Sequence, residues 1–599
     1  MPLPPLANLF AHYDPDPAAL EAVLRDLQTS GEFAHVWQPA PGWVAAAAPL
    51  PGGIPDDERV YSQRLAFAEG RERVVDEASQ PPLEALRRAA DLAERHPDNL
   101  ASLPGDFSFI HFGEHGSATV VRSCGGLVPF YLWRDGERCA IATRLGDLVR
   151  YLPDEFTPDP LVNAIWASSW GMFPEGRTFL VGVTLLERGH YANMGRGEVM
   201  PRPYWRPRPE HVPYPTQAQR REHAERLRAL LVDKLTRDLD PDGGNLLTLS
   251  GGIDSSSLGA LAAGVVGREV WTWSLLPAED RPDLLQHELS FIEPLAQQFG
   301  FTRHWREHAR ARLLLDLWQE APPVVFHILH PALCRLPALT REAPLRVLFG
   351  GEYADNVVGS VFNFPDWARQ TSLLRLLLEP QVTLRHPRAT LLRWAKLRWD
   401  ALRGDDWLIF PRELLEMNLK SKAPLDIFHP DVRAEYLAWW DKQKQTLQRD
   451  RGPWRLLALE SAAMAPFAPM NWEACSALGV RRSLPFYTRE IFELTFACHP
   501  AELVGPETKK LLRAALKNDV PARNLNRLDK GGWGRFDPER LAPPPEALPA
   551  EPLPDEMLGV LNPAWLAHPP AQLDEAQQRI LARLRIFAAN LQTRRAARP

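Results

Sequence analysis

The sequence is poor in cysteine, in lysine and in long apolar runs, and each scarcity excludes something. Five cysteines in 599 residues (Cys124, Cys139, Cys334, Cys475, Cys498) stand at wide, irregular spacing. They make no metal-ligand pair and no disulfide framework, so a reducing cytoplasm is the expected location. The 69 basic residues are almost all arginine, and only Lys234 precedes Lys396. Arg-biased coding accounts for that, yet a lysine retained in such a chain points to a place that needs a compact ammonium. The longest apolar stretches, such as residues 43–50 (WVAAAAPL), fall far short of the ~18 residues a membrane helix needs, and no membrane partner is expected. The first ten residues (MPLPPLANLF) carry neither a basic segment nor an apolar core, so no signal peptide is expected. A net charge of −6 and pI near 6.3 give no electrostatic reason to expect nucleic acid.

What is present is a soluble-type composition, 45% apolar and 24% charged, which excludes a disordered chain. The length suits two to four domains. Residues 1 to about 200 read as strands with helices between: residues 107–112 alternate, 118–122 form a second run, and 114–116 make the turn of a hairpin. Residues 140–143 and 179–183 are further strand candidates, and 81–94 have helical periodicity. Six prolines in residues 201–215 mark a boundary, because such a stretch continues neither a helix nor a central strand. Beyond it, 216–235 is an amphipathic helix with Ala224, Leu227, Leu231 and Leu235 on one face. Strands at 246–249, 269–276 and 345–349 then alternate with helices from Ser255 and over 285–299, the pattern of a doubly wound parallel sheet. Residues 361–404 form a helical block with eight basic and three acidic side chains. Further helices run through Leu516, and a Pro-rich stretch at 542–554 precedes a final helix, 574–591, with Ile580, Leu584, Phe587 and Leu591 on one stripe.

Chemistry concentrates at residues 246–257, LLTLSGGIDSSS. An apolar strand ends in two glycines, then an acid and serines open a helix whose first N–H groups are unpaired and electropositive, a place for an anion. No GxxxxGK[ST] is present, so this is not a Walker-type loop. Residues 250–255 instead resemble the pyrophosphate loop of the ATP pyrophosphatase superfamily. A hundred residues on, 347–360 (VLFGGEYADNVVGS) is again a strand running into a Gly-rich acidic turn. With the first motif it resembles the second nucleotide motif of the asparagine synthetase family: Gly351, Glu352, Ala354 and Asp355 match, while Tyr353 stands where Gly is usual and Asn356 where a second acid is. Residues 479–486 (GVRRSLPF), 509–513 (KKLLR) and 527–533 (RLDKGGW) resemble that family's later segments in order, although Tyr487 departs from the Asp that usually follows the Pro-Phe.

The resemblance implies roles. Leu249, Ser250, Gly251 and Gly252 would hold ATP through backbone groups, with Ser255 and Ser256 cradling pyrophosphate. Leu275, Gly350 and Gly351 would line the adenosine pocket, and Asp254 and Asp355 would hold Mg²⁺, a hard cation suited to carboxylates. Lys530 would face the α-phosphate and leaving pyrophosphate, with Lys509 a second catalytic candidate. Glu352 would accept a proton from the attacking amine or orient it.

Asparagine synthetases usually begin with a glutaminase domain whose nucleophile is an N-terminal cysteine, whereas position 2 here is Pro2. Residues 103–112 and 121–132 nevertheless resemble later strands of that domain, with Ser123 replacing the usual Asp. The resemblance implies an α/β fold class with two unlike parts. Residues 1–205 would be a degenerate Ntn-hydrolase-like, glutaminase-type α+β sandwich. An ATP pyrophosphatase domain follows at 216–540, with a helical insertion at 361–455, and then a Pro-rich stretch and helix at 541–599. Glutamine would not be the nitrogen source. Among relatives with a silent N-terminal domain, the chain looks most like the macrolactam synthetases of lasso peptides (lasso cyclases). These adenylate an Asp or Glu side chain of a precursor peptide and let its N-terminal amine attack. β-Lactam synthetases usually carry Tyr where Glu352 stands. The implied partners are the precursor peptide, a leader-binding protein and a leader peptidase. An ammonia-dependent asparagine synthetase and a non-catalytic peptide-binding scaffold are the alternatives. Trp367, Trp394, Trp399 and Trp407, in or near the helical block, are candidates for peptide contact.

Overall fold

The computed structural model describes residues 7–49, 65–71, 82–103, 106–113, 116–152, 156–168, 176–195, 200–208, 212–309, 331–359, 363–378, 387–403, 425–449, 467–505, 507–528, 557, 559–563 and 575–597. Lys530, Trp407 and the Pro-rich stretch at 542–554 lie outside them.

Two antiparallel sheets make the N-terminal half. One has six strands in the order His35–Trp37, Trp43–Pro49, Ala7–Tyr13, Arg138–Ala142, Tyr131–Asp135, Val183–Leu185. The other has five: Arg202–Pro203, His190–Met194, Ala118–Val121, Asp106–Phe112, Leu65–Arg71. Period-two alternation assigns each strand two faces. Leu9, Ala11 and Tyr13 share a core with Ile110, Phe112, Val120 and Ala192 of the other sheet. Phe10, Val44 and Ala142 point the opposite way, toward helices Pro17–Ser30, Leu145–Tyr151 and Pro160–Ser168. Phe107, Phe109 and Val121 meet helix Pro82–Arg95 on the far side. The result is a layering of helix, sheet, sheet, helix.

The hairpin forms as read, with Phe109 opposite Val121 and Phe112 opposite Ala118. The strand expected at 179–183 does not. Gly182 turns there with φ +78°, Val181 is exposed, and the strand begins only at Val183. The Pro-rich stretch begins as an edge strand, Arg202–Pro203, where missing N–H groups can face outward.

All five strands of the third sheet run parallel, in the order Arg303–His308, Trp271–Leu276, Asn245–Thr248, Val347–Gly350, Arg481–Ser483. Leu247, Val347 and Phe349 share a core with helices Gln217–Asp238, Ile253–Ala260 and Pro282–Phe299. Leu246, Trp271 and Leu348 face helices Pro331–Glu342 and Phe467–Ser476, so the sheet is covered on both sides. Thr216 caps the long helix through a capping box with Gln219. Lys234, the early lysine, forms a buried pair with Asp238 at 3.3 Å, a structural use of its ammonium.

Within the helical insertion Phe364–Gln370, Leu373–Leu378, Pro387–Arg403 and Pro430–Arg449 are helices. Trp367 is buried, Trp394 donates to Thr371 O at 3.0 Å, and Trp399 is exposed. The last helix, Glu575–Ala596, buries the expected stripe of Ile580, Leu584, Phe587 and Leu591. It docks on the N-terminal half, where Phe587 stacks on Phe179 and Arg583 donates to Ala167 O. Among the described residues no helix is long and apolar enough to cross a membrane.

Candidate active site

In chain order the parallel strands run 3-2-1-4-5 across the sheet, so the strand order, not the strand direction, reverses between Asn245–Thr248 and Val347–Gly350. Ligands of such sheets bind beyond the carboxyl ends of the strands at that reversal. Both motifs singled out by sequence emerge there. Gly251 has φ +68°, and a Cβ on it would stand 2.9 Å from Phe291 Cβ and 3.2 Å from Arg527 Nη1. Only glycine fits so tight a turn. Gly351 lets the second motif close on the first, since a Cβ would come 2.7 Å from Asp254 Cβ.

The helix after the loop starts at Ile253, and Ser256 N already bonds to Gly252 O at 3.0 Å. The N–H groups left for an anion are therefore those of residues 253–255. Ser255, in the first turn of that helix, turns its side chain to the loop, with Oγ accepting from Ser250 N at 3.2 Å. Ser256, expected beside it, is turned inward by the next 100° of helix, is fully buried, and accepts from Asn524 Nδ2 at 3.1 Å. Its hydroxyl supports the loop from behind. Leu249 is pinned by its neighbour strand: its N–H donates to Trp273 O at 2.9 Å and its carbonyl accepts from Ser274 Oγ at 2.7 Å. Leu275 follows on that strand and is less buried than Ser274 and Leu276 on either side.

Asp254 and Asp355 come from the two motifs and converge on one cation, the Lys509 ammonium. Lys509 Nζ bonds directly to Asp254 Oδ2 and lies 2.9 Å from Asp355 Oδ1. Burial alone pulls this ammonium toward losing its proton, but the two carboxylates outweigh burial and hold its pKa above the ordinary lysine value. Lys509 sits at φ +59° in the turn opening helix Lys510–Ala515, an uncommon conformation for a residue with a side chain. Glu352, between the two motif ends, is held by Arg482, whose Nη2 lies 2.7 Å from Glu352 Oε1. The same buried guanidinium donates from Nε to Asn471 Oδ1 at 2.7 Å and from Nη1 to Leu348 O at 3.0 Å.

The structure thus brings together Leu249, Ser250, Gly251, Gly252, Asp254, Ser255, Gly350, Gly351, Glu352, Asp355 and Lys509. Four supporting residues escaped the reading of the sequence. Asn524 Nδ2 reaches Gly251 O, Ser256 Oγ and Phe291 O at 3.0–3.3 Å. Arg527 Nη2 forms a bidentate pair with Glu288, at 2.7 and 2.9 Å, while Arg527 stacks on Phe291. Arg513 carries Arg527 in turn, donating to its carbonyl at 2.8 Å. Arg513 and Arg527 lie inside quoted motif segments, so the signal existed; nothing local marked Asn524 or Glu288.

The sequence model of the asparagine synthase family matches residues 226–544. No curated protein matches the chain. Similar solved structures include glutamine phosphoribosylpyrophosphate amidotransferase from B. subtilis, complexed with ADP and GMP, 10% identical over 50% of this chain and 90% of that one, with a TM-score of 0.22. Another is an allosteric regulatory enzyme of purine biosynthesis, 12% identical over 51% of this chain and 81% of that one, with a TM-score of 0.23. With more than half of its 599 residues matched to that model, the chain belongs to the asparagine synthase family of ATP-using carbon–nitrogen ligases.

Proposed function

We propose that this ligase forms AMP and pyrophosphate: it adenylates an Asp or Glu side chain of a precursor peptide and closes a macrolactam with the peptide's N-terminal amine. The observation that carries this reading is the convergence of Asp254 and Asp355 on one cation at the switch point of the sheet. A triphosphate laid across that crevice meets the unpaired N–H groups of residues 253–255 at the positive end of a helix. Two carboxylates converging on one point charge, with oxygen-only donors, fit Mg²⁺; Asp254 and Asp355 would hold it, and bound there it neutralises phosphate charge. Lys509, kept protonated by its two carboxylates, meets the charge that gathers on pyrophosphate as a carboxylate oxygen displaces it from the α-phosphorus. Glu352, fixed by Arg482, takes the proton that the amine releases as it attacks the acyl carbon and AMP leaves. Lys530 is assigned to the α-phosphate by resemblance.

One feature argues against glutamine as the nitrogen source, and another favours a peptide substrate. All five cysteines are buried, so none is offered to glutamine. The helical insertion exposes Leu374 (67%), Leu392 (71%) and Trp399 (59%), apolar side chains suited to peptide contact. A leader-binding protein and a leader peptidase are the partners this reading requires. Family membership fits an ammonia-dependent asparagine synthetase equally well, so the test must separate the two. ATP–pyrophosphate exchange is run with Mg²⁺ and a candidate precursor peptide, or with aspartate and ammonia. Exchange driven only by the peptide, with loss of one water by mass, upholds macrolactam closure. Exchange driven by aspartate, with asparagine formed, replaces it with the second reading. No exchange with either, alongside retained peptide binding, leaves a scaffold.

A further inference from the structure

Three side chains of metal-binding type meet outside the motifs that carry the nucleotide chemistry. His223 stands in the second turn of helix Gln217–Asp238, Cys498 directly follows helix Arg489–Ala497, and Glu502 lies in the short helix Pro500–Leu503. His223 Nδ1 is 2.8 Å from Glu502 Oε2 and 3.4 Å from Cys498 Sγ, and the ligand atoms of all three lie within 4.8 Å of one another. Sequence spacing could not show this, because 275 positions separate the histidine from the cysteine. Cys498 and Glu502 are buried, whereas the His223 side chain is 21% exposed, so the cluster is open on the imidazole side.

Both close contacts fall on the same ring nitrogen. An imidazole nitrogen offers either one hydrogen or one lone pair, so Nδ1 cannot fully serve a thiol and a carboxylate at once. A nucleophilic Cys–His–acid relay would instead place thiol and carboxylate on opposite ring nitrogens. A cation at the centre of the three uses each of them through one atom. Zinc bonds of about 2.3 Å to sulfur and about 2.0–2.2 Å to nitrogen and oxygen, set in a tetrahedron, hold the ligand atoms about 3.3–3.6 Å apart. The sulfur–nitrogen separation already has that length. The nitrogen–oxygen separation has to open by about half an ångström once Nδ1 gives up its hydrogen.

The supports that orient metal ligands are in place. Glu502 Oε1 accepts from His499 N at 3.0 Å, which leaves Oε2 turned to the histidine. His499 is itself fixed, with Nδ1 accepting from Ala501 N at 3.1 Å and its ring edge-on to Tyr214 at 5.1 Å. Cys498 is anchored by its N–H, which donates to Leu494 O at 3.1 Å. Neighbouring cations have partners of their own: Lys510 Nζ donates to Ala501 O at 2.7 Å, and Arg220 lies over the Tyr214 ring. We propose that His223 Nδ1, Cys498 Sγ and Glu502 Oε2 form a Zn²⁺ site, with water completing the tetrahedron on the exposed side. Imidazole, thiolate and carboxylate together suit Zn²⁺ and not Mg²⁺, which takes oxygen ligands. The charges of thiolate and carboxylate balance the ion, so the buried assembly is neutral. The site ties the start of helix Gln217–Asp238 to the segment leading to Lys509. That segment is packed on the second motif: a Cβ on Gly359 would come 2.4 Å from Leu503 O, and Lys509 N donates to Gly359 O at 3.1 Å. A zinc ion there braces the support of the Lys509 ammonium, whichever acyl group is adenylated.

The test uses the full-length protein, stripped with a chelator, kept reduced with a phosphine and titrated with Co²⁺. Cobalt takes the place of zinc and reports a thiolate ligand through a sulfur-to-cobalt charge-transfer band. The wild type is expected to bind a single Co²⁺ per chain with that band, and equimolar Zn²⁺ to abolish it by binding more tightly. Excess Mg²⁺ should leave the band in place. Cys498→Ser should lose it, and His223→Gln and Glu502→Gln should each weaken Co²⁺ binding by about 100-fold. No band in the wild type, a band kept in Cys498→Ser, or an affinity unchanged in both other variants would each overturn the site. Cobalt bound without the band and displaced by Mg²⁺ would do the same, by assigning it to Asp254 and Asp355. Should Cys498→Ser fail to fold, His223→Gln carries the test from the partly exposed side of the cluster. A weakened affinity at unchanged metal-free melting upholds the site, and an unchanged affinity overturns it.

Discussion

Two cations, one buried and one half-buried, lie near the second nucleotide motif, and the protein treats them in opposite ways. Lys509 is held between two carboxylates supplied by different strand ends, and its charge is balanced before any ligand arrives. Arg188 has the Tyr487 and Phe492 rings and Arg122 for neighbours, and among the described residues its Nη1 and Nη2 have no hydrogen-bond partner. A balanced ammonium between two acids that suit a metal is a site whose charges are set within the protein. The lesson is that burial of a charge says little about role until its partners are counted.

The sharpest way to break the comparison is to remove the balanced cation. Lys509→Met leaves Asp254 and Asp355 facing each other unscreened, and the loss of stability should be about 3–5 kcal/mol. Mg²⁺ should restore part of that loss, because a divalent ion then meets two acids with no competing ammonium. Urea unfolding with and without Mg²⁺ reads both effects. A variant as stable as the wild type and indifferent to Mg²⁺ would show that the carboxylates do not converge. Somewhat smaller is Arg527→Met, which strands Glu288 in the core and releases the Ser250 carbonyl. Stability should fall by about 3 kcal/mol, with KM for ATP raised more than kcat is lowered, because the loop loses its backing. The double variant with Glu288→Leu should recover most of the stability and little of the affinity.

How much of this was legible beforehand follows from what kind of signal each part left. The strand–Gly-Gly–helix segment and the strand before Gly350 were read within two residues, because apolar runs and glycines are local features. Two edge strands went unread. Residues 303–308 (RHWREH) show no apolar alternation because one side of an edge strand faces outward. Residues 481–483 (RRS) look like surface, yet all three are buried, with Arg481 near Asp240 and Arg482 holding Glu352. Buried arginines are invisible to hydropathy because their burial depends on acids far away in sequence. The same reason hid Glu288 and Asn524. It also explains why Ser256 was placed one step wrong: a run of three serines carries no sign of which one the helix turns inward. Lys509 was legible as a candidate, but its two partners were not.

A third contrast is set by pH. Glu473, on the helix Phe467–Ser476, is fully buried and accepts from Leu145 N at 3.1 Å, joining the parallel-sheet half to the sandwich. Burial raises its pKa to about 8, more than its bonds to Tyr131 and Leu145 lower it. A carboxyl whose folded pKa exceeds its unfolded value costs nothing below about pH 4.5 and weakens the fold as pH rises from there to about 8. Glu473→Gln keeps an acceptor for Leu145 and has no proton to lose. It should match the wild type near pH 4.5 and exceed it by about 2 kcal/mol at pH 8. Denaturation at the two pH values checks this, and a constant difference would mean that Glu473 is ionised in the fold.

The smallest expected effect bears most directly on the unbalanced side. Tyr353 holds φ +68°, which tyrosine seldom adopts, and its ring stays in place through the stack on Tyr487. Tyr353→Phe keeps backbone and stack and removes only the buried hydroxyl. If nothing satisfies that hydroxyl in the unliganded protein, its removal should stabilise by about 1 kcal/mol, since a buried hydroxyl without a partner costs roughly that much. A hydroxyl already bonded to water would instead leave the variant less stable than the wild type. The sign of the change, read by urea unfolding of both proteins, therefore tells whether the hydroxyl beside Glu352 is dry and unpaired.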